Sequence, residues 1–427
     1  MSINSKHDWH APTINFAINS TLEIPGSKSA TNRAFVLAAL GNKISTISNP
    51  LFARDTNLML EALEKLGCNV LRQSNSVQIS PMGKAHEDIS IDVGLAGTVM
   101  RFVPPLAALS TGTTNFDGDE RARNRPMKTL IESLKKLNVN VIDKNDGKLP
   151  FSINSDGQII GGELEIDASE SSQFISALML VGAKFTNGLT IKHVGNNLPS
   201  LPHIQMTIEM LKEVGVKTIQ IDKTTWKIEH QEIKSKDWHI EPDLSNAGPF
   251  LAAAMVTNGE VKIKDWPLQT TQAGNSWIEI LSLMGANIQL NSNELVLKNN
   301  SEIKGINYNL KDVGELTPVL VAISLFANSK SEFSGISHLR GHETDRLAAL
   351  VENITSIGGD AKETEDGLII NPKELHGGIW KAFDDHRMAT AGAVIGLRIK
   401  DIRVDDIATT SKTLPNFEKM WNELVNL

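Results

Sequence analysis

Lys28, Ser29 and Arg33 stand within six residues of one another, directly ahead of an apolar run, and five further clusters of similar character follow. They are Gly97-Thr98-Val99-Met100-Arg101, Ser171-Ser172-Gln173-Phe174, Leu244-Ser245-Asn246-Ala247, Asp312-Val313-Gly314-Glu315 and Asp385-His386-Arg387-Met388. A helix N-terminus carries unpaired N–H groups and the positive end of a dipole, which makes it a natural anion site. Lys, Arg and Ser at several such ends suit small, highly charged anions. An enzyme of phosphorylated metabolites is therefore expected.

Each cluster also has a plainer chemistry. Pro25-Gly26-Ser27-Lys28-Ser29 invites a P-loop reading, but Walker A needs glycine where Leu22 and Ser27 stand, which disfavours an ATPase or kinase. Lys28, Ser29 and Arg33 still suit carboxylate or phosphate, with Arg offering a two-pronged fork. Ser171-Ser172 is also an ordinary helix cap. Arg121, Arg123 and Arg125 precede Pro126 in a loop entering a helix, where solvation alone would account for them. Arg340 to Arg346 crowds two carboxylates beside two guanidiniums, either a surface salt-bridge lace or a tuned site. His386 lacks a His or Cys partner at metal-ligand spacing. Cys68 follows a helix stop and reads as core filler rather than nucleophile.

The elements that must position these residues repeat. With Thr31, Thr98, Ser172, Asn246, Leu316 and His386 as markers, the steps are 67, 74, 74, 70 and 70 residues. Leu-rich helical patterns stop at Leu66-Gly67, Leu137-Asn138, Val214-Gly215, Met284-Gly285 and Ile357-Gly358, in steps of 71, 77, 70 and 73. Gly or Asn is the expected C-terminal stop. Strand pairs around turns follow: Val139–Asp143 with Phe151–Asn154, Ala286–Leu290 with Glu294–Lys298 across Asn291-Ser292-Asn293, and Asp360–Glu363 with Leu368–Asn371. The repeating unit is a polar head, an apolar helix, a strand, an amphipathic helix and a hairpin. Six such units of about 71 residues fill the chain. Only five hairpins are visible, and the last helical pattern, Asn416–Val425, ends the sequence, so the N-terminal strands are expected to complete the sixth unit. Three units per domain put crossings near Leu22–Ile24 and Trp238–Glu241.

Length and composition agree with two domains of a globular enzyme. The 427 residues are 41% hydrophobic and 22% charged. A net charge of −8 argues against nucleic-acid binding, which usually needs a basic face. An acidic shell around locally clustered Arg and Lys would focus small anions instead. The lone Cys68 excludes an intramolecular disulfide framework. Met1 to Ser20 has no apolar core of signal-peptide type and no segment approaches a membrane span, so a cytoplasmic protein with no membrane role is expected.

In order along nearly the whole chain, the clusters resemble the 5-enolpyruvylshikimate-3-phosphate synthase family, in its bacterial monofunctional form. The carriers are Pro25 to Arg33, Leu95 to Arg101, Arg125-Pro126, Ser171 to Phe174, Glu343 to Arg346, Asp385 to Met388 and Lys412 to Pro415. The resemblance implies the enolpyruvyl transferase fold: an α/β protein of two similar domains, each of three βαβαββ units in an inside-out α/β barrel. The domains are expected at 25–240, mainly for shikimate 3-phosphate, and at 1–24 plus 241–427. The implied reaction transfers the enolpyruvyl group of phosphoenolpyruvate to the 5-hydroxyl of shikimate 3-phosphate, a step toward chorismate and the aromatic amino acids. No metal or organic cofactor is implied, and a monomer is expected.

By the same resemblance, Lys28, Ser29, Arg33, Ser171, Ser172, Gln173, Ser200, Asp312 and His342 should bind shikimate 3-phosphate. Lys28, Gly97, Thr98, Arg125, Gln173, Arg346, Arg387 and Lys412 should bind phosphoenolpyruvate. Asp312 is the implied base at the hydroxyl, with Glu343 and Lys28 carrying protons at C3 of phosphoenolpyruvate. Two half-sites on two domains imply closure before chemistry. No site residue is assigned to Leu244–Ala247.

The chain departs from the family at three places. Leu95 stands where many members have Asn, Phe102 where many have Pro, and His342 where a Lys contacts shikimate 3-phosphate. Pro104-Pro105 follow Phe102 and leave the helix start open. The retained Gly97 predicts sensitivity to glyphosate, the family inhibitor that occupies the phosphoenolpyruvate site. The nearest rival is the sister transferase acting on UDP-N-acetylglucosamine, whose usual loop nucleophile is a Cys. A rival of another class is a non-catalytic anion-binding protein of the same fold.

Overall fold

A computed structural model describes residues 8–292 and 294–426 of the chain. These fold into two compact units, one of Gly26–Ile240 and one of the segments through Pro25 and from Glu241. Each has its own apolar core.

In the 26–240 unit, three repeats follow one another. The first runs through helix α1 (Lys28–Leu40), strand Ser45–Ser48, helix α2 (Arg54–Lys65) and the hairpin Val70–Arg72 with Ser76–Ile79. The second has strand Ile89–Asp92, α3 (Gly97–Ala107), strand Thr111–Asp117, α4 (Lys128–Lys136) and the hairpin Asn140–Asp143 with Phe151–Asp156. The third has strand Gly162–Ile166, α5 (Gln173–Gly182), strand Leu189–His193, α6 (Leu201–Glu213) and the hairpin Thr218–Gln220 with Thr225–Ile228. Each repeat makes a four-stranded sheet with one parallel and two antiparallel pairings. In the first sheet the parallel edge strand is Trp238–His239, supplied by the end of the unit.

The other unit repeats the plan. Its helices are α7 (Gly248–Thr257), α8 (Trp277–Leu283), α9 (Thr317–Ser324), α10 (Arg346–Ser356), α11 (His386–Gly396) and α12 (Phe417–Leu424). The expected hairpins form as Asn287–Leu290 with Glu294–Lys298 and Asp360–Glu363 with Leu368–Asn371. Asn293 of the first turn lies outside the described residues. The N-terminal strands divide their work, a correction to the expected closure of the sixth repeat. Trp9–His10 joins the sixth sheet, antiparallel to Ile402–Val404. Asn19–Leu22 instead lies parallel to Glu260–Lys264 and starts the fourth sheet. An edge strand supplied from a distant part of the chain leaves no local sequence signal.

The two helix types follow from composition. In α5, every residue from Phe174 to Gly182 is buried, and all of α7 is buried. Helices apolar all round belong inside a core. In contrast, α4 and α12 keep one apolar stripe and leave Lys and Glu outside. All five predicted stops are left-handed, from φ 65° at Asn138 to φ 111° at Gly285. The start of α3 falls at Gly97, and the helix runs on through Pro104-Pro105.

Candidate functional site

Within the 26–240 unit, the polar heads of α1, α3 and α5 come together at the ends of packed helices. Ser27 caps α1 by accepting from the Ala30 N–H at 3.4 Å, which sets Lys28 in the first turn. The Lys28 ammonium lies 3.4 Å from Asp55, a buried carboxylate at the start of α2. Asn32 of α1 donates to Thr98 of α3 at 2.7 Å. Arg101 reaches back to the Gly97 carbonyl at 3.3 Å and lies over the Phe174 ring of α5 at 5.6 Å. Arg125, after the turn Ala122–Asn124, donates to the Leu95 carbonyl at 2.9 Å. A Cβ on residue 97 would come within 3.1 Å of Arg125 Nη2, so glycine there lets the guanidinium approach the helix start.

These helix starts carry no acidic residue in the first turn, and Lys28, the first residue of α1, opposes the dipole. A cation at a helix N-terminus costs roughly 0.3–1 kcal/mol. Bound anions would offset that cost. Ser172 is buried just ahead of α5, and Gln173 begins the helix. The buried Gln173 Oε1 has no hydrogen-bond partner among the described residues. Ser171 accepts from the Gln173 N–H at 3.3 Å. Ser200 adopts φ 56° at the start of α6, a strained conformation for a residue with a Cβ.

Arg33 differs from the other predicted cations. It is 1% exposed and donates to Thr207, Ser176 and the carbonyls of Ser29 and His203 at 2.9 to 3.4 Å. Its guanidinium also stacks over Phe102 at 5.2 Å. Phe102, where family members often have Pro, is thus a packing partner of Arg33.

In the other unit the heads of α9, α10 and α11 form a second cluster. Asp312 is half-buried in the turn before the short helix Gly314–Leu316. Arg346 is 2% exposed and holds Asp385 through Nε at 2.7 Å, Glu343 through Nη2 at 3.0 Å and His342 through Nη1 at 3.2 Å. Because Arg only donates, His342 Nδ1 must be an acceptor, which fixes the neutral Nε2–H tautomer in this arrangement. Burial opposes ionisation of Asp385, but the charge and hydrogen bonds of Arg346 prevail and hold its carboxyl below the ordinary value. Asp385 also caps α11 by accepting from the Arg387 N–H at 2.9 Å. The Arg387 side chain lies 3.4 Å from Glu315. Lys412 donates to the Asp384 carbonyl at 2.5 Å, at a turn where Phe383 and Asp384 both have φ near 55°. His338 packs edge-on against His342 with ring centroids 5.7 Å apart.

The sequence-predicted residues thus fall into two sets, one per unit. Sequence reasoning missed Asp55 and His338 as neighbours of these sets, and it named Arg101 and Glu315 only as cluster members without a role. Cys68 is buried, and desolvation with help from Glu64 pushes its thiol up to about 12. Burial and a raised thiol both argue against a nucleophilic role at that position. A separate surface hollow of about 920 Å³, lined by Lys65, Asp92, Asp117 and Lys144 among others, contains none of the predicted site residues.

A family model described as EPSP synthase (3-phosphoshikimate 1-carboxyvinyltransferase) matches residues 13–421. The chain belongs to the EPSP synthase family. A 3-phosphoshikimate 1-carboxyvinyltransferase from Kocuria rhizophila is 46% identical, covering 98% of this chain and 96% of that protein. An EPSP synthase structure from Acinetobacter baumannii superimposes with a TM-score of 0.79 at 21% identity, over 98% of this chain and 97% of that one. The enolpyruvyl transferase NikO from Streptomyces tendae gives 0.77 at 13% identity, over 98% and 97%. At such low identity these two structures speak to the fold alone, and they bear out the expected enolpyruvyl transferase architecture. Among the described residues, no helix is long and apolar enough to cross a membrane.

Proposed function

We propose that the protein transfers the enolpyruvyl group of phosphoenolpyruvate to the 5-hydroxyl of shikimate 3-phosphate, releasing phosphate. The observation that carries the reading is the buried Arg346 cluster, where one guanidinium holds Glu343, His342 and Asp385 beside the heads that bear Asp312 and Arg387. A site built this way offers fixed cations for a doubly charged phosphate and a carboxylate, with oriented carboxylates for proton traffic.

In this reading the 26–240 unit carries shikimate 3-phosphate through Lys28, Ser29, Arg33, Ser171, Ser172, Gln173 and Ser200. For phosphoenolpyruvate the proposed contacts are Gly97, Thr98 and Arg125 in this unit, and Arg346, Arg387 and Lys412 in the other, each set taken by itself. Asp312 accepts the 5-hydroxyl proton while the oxygen attacks C2 of phosphoenolpyruvate, and Glu343 or Lys28 protonates C3. The tetrahedral intermediate then loses the C3 proton and expels phosphate, restoring the enol ether. General acid–base help of this type is worth about 10²–10⁴-fold. Asp312 accounts for the base because a hydroxyl needs a nearby acceptor, and Arg346 orients Glu343 by direct donation at 3.0 Å. His342 contributes to the shikimate 3-phosphate side through its Nε2–H. The enzyme is read as a monomer of the cytoplasm, and its free, buried Cys68 suits a reducing compartment.

The test is phosphate release from phosphoenolpyruvate with shikimate 3-phosphate, beside the same assay with UDP-N-acetylglucosamine. Turnover with the first acceptor alone is expected, and Asp312→Ala should lower kcat by at least about 10²-fold. Absence of turnover with shikimate 3-phosphate would overturn the reading.

A further inference from the structure

The head Leu244-Ser245-Asn246-Ala247 has no assigned substrate contact, yet its side chains are tied to the neighbours of two cations on other segments. Ser245 Oγ donates to Glu315 Oε1 at 2.5 Å, and Glu315 Oε2 lies 3.4 Å from Arg387 Nη2. Asn246 Nδ2 donates to the Thr413 carbonyl at 3.1 Å, while Thr413 Oγ1 donates back to Asn246 Oδ1 at 3.3 Å. Thr413 directly follows Lys412. The head itself is rigid: the Asn246 N–H donates to Asp243 Oδ1 at 3.0 Å, and the Leu244 N–H donates to Gln272 Oε1 at 3.1 Å. Ser245 and Asn246 are 7% exposed and Thr413 is 2% exposed, so water does not readily replace these bonds.

We infer that Ser245 and Asn246 are positioning residues for phosphoenolpyruvate binding, Ser245 aiming Arg387 through Glu315 and Asn246 fixing the Lys412 backbone through Thr413. This rests on the reading that Arg387 and Lys412 bind phosphoenolpyruvate. A carboxylate held at one oxygen presents the other in one direction, and Glu315 presents that second oxygen to Arg387. The Asn246–Thr413 pair fixes both a carbonyl and a hydroxyl, which suits holding a loop rather than merely filling space.

The test is a KM-against-kcat split in Ser245→Ala and Asn246→Ala. Each is expected to raise the KM for phosphoenolpyruvate about tenfold, the effect of losing one or two buried hydrogen bonds. The KM for shikimate 3-phosphate should stay within about twofold, since a positioning change at the other ligand leaves it alone. Ser245→Thr keeps the hydroxyl and should restore the wild-type KM. Asn246→Asp keeps the size but loses the donor, and should behave like Asn246→Ala.

Two double variants decide whether the effect passes through the cations. In a Lys412→Ala background, Asn246→Ala should add less than about twofold, and Ser245→Ala likewise in an Arg387→Ala background, because coupled residues are not additive. Full additivity, or an equal rise in both KM values, would overturn the inference while leaving the cation assignments intact. If Lys412→Ala and Arg387→Ala alone leave the phosphoenolpyruvate KM unchanged, the site reading fails and the inference falls with it.

Discussion

Arg346 and Asp385 lie 39 residues apart in sequence, yet two hydrogen bonds join them, Nε to Oδ2 at 2.7 Å and Nη2 to Oδ1 at 3.3 Å. Their side chains are 2% and 0% exposed. Asp385 does three things at once: it neutralises a buried guanidinium, aims it, and caps the helix that carries Arg387.

Asp385→Ala should therefore destabilise the protein by about 3–5 kcal/mol, because one partner of a buried ion pair is left uncompensated. Asp385→Asn retains an acceptor for the cap and should recover part of that loss. The check is the urea midpoint, measured beside the KM for phosphoenolpyruvate. Unchanged midpoints in both variants would refute the buried-pair account.

His338 gives a pH prediction. Burial first, and the Arg346 charge second, pull its imidazole from the ordinary 6.5 down to about 4. The unfolded chain therefore binds a proton that the folded chain does not accept between those values. The stabilisation is fully present above about pH 6.5 and is lost as pH falls through that window toward 4, with a maximum of about 3 kcal/mol. His338→Phe should flatten the stability profile between pH 6.5 and 4. A wild-type profile that is already flat there would contradict the assignment.

The repeat architecture was legible because it rests on local signals. Five Gly or Asn stops and six polar heads each sit within a few residues of the helix they end or begin. The divided N-terminal strands were not legible, because a two-residue strand such as Trp9–His10 takes its place from a partner near residue 403. The site shows the same limit. Lys28, Arg125 and Arg346 were visible as motif residues, but Arg33 looks alike in sequence and proves to be bonded on most sides by α5 and α6. Ser245 and Glu315 are 70 residues apart, and Asn246 and Thr413 are 167 apart, so no spacing rule could join them.

Cys68 supplies a negative control for the rival transferase chemistry. With the thiol pushed up to about 12, the thiolate is a negligible fraction at neutral pH. Native protein should resist iodoacetamide, and Cys68→Ala should keep turnover within about twofold, since surrounding residues lose only one small core group. Rapid alkylation with loss of activity would reinstate a nucleophilic cysteine.

Gly97→Ala tests the approach of Arg125 to the start of α3. A Cβ there would meet Arg101 Nη1 at 2.9 Å and Arg125 Nη2 at 3.1 Å. Both are far ends of flexible side chains, so they shift and the fold survives. In the proposed site, the displaced Arg125 guanidinium would no longer meet phosphoenolpyruvate in the same geometry. A loss of about 1.4 kcal/mol corresponds to a tenfold rise in the KM for phosphoenolpyruvate. The KM for shikimate 3-phosphate should change little, and the thermal midpoint should fall by no more than a few degrees. Glyphosate should inhibit the wild type in competition with phosphoenolpyruvate and lose potency in Gly97→Ala, because both anions would depend on the same displaced arginine. An unchanged phosphoenolpyruvate KM in this variant, or inhibition indifferent to phosphoenolpyruvate concentration, would place the anion site away from Arg125.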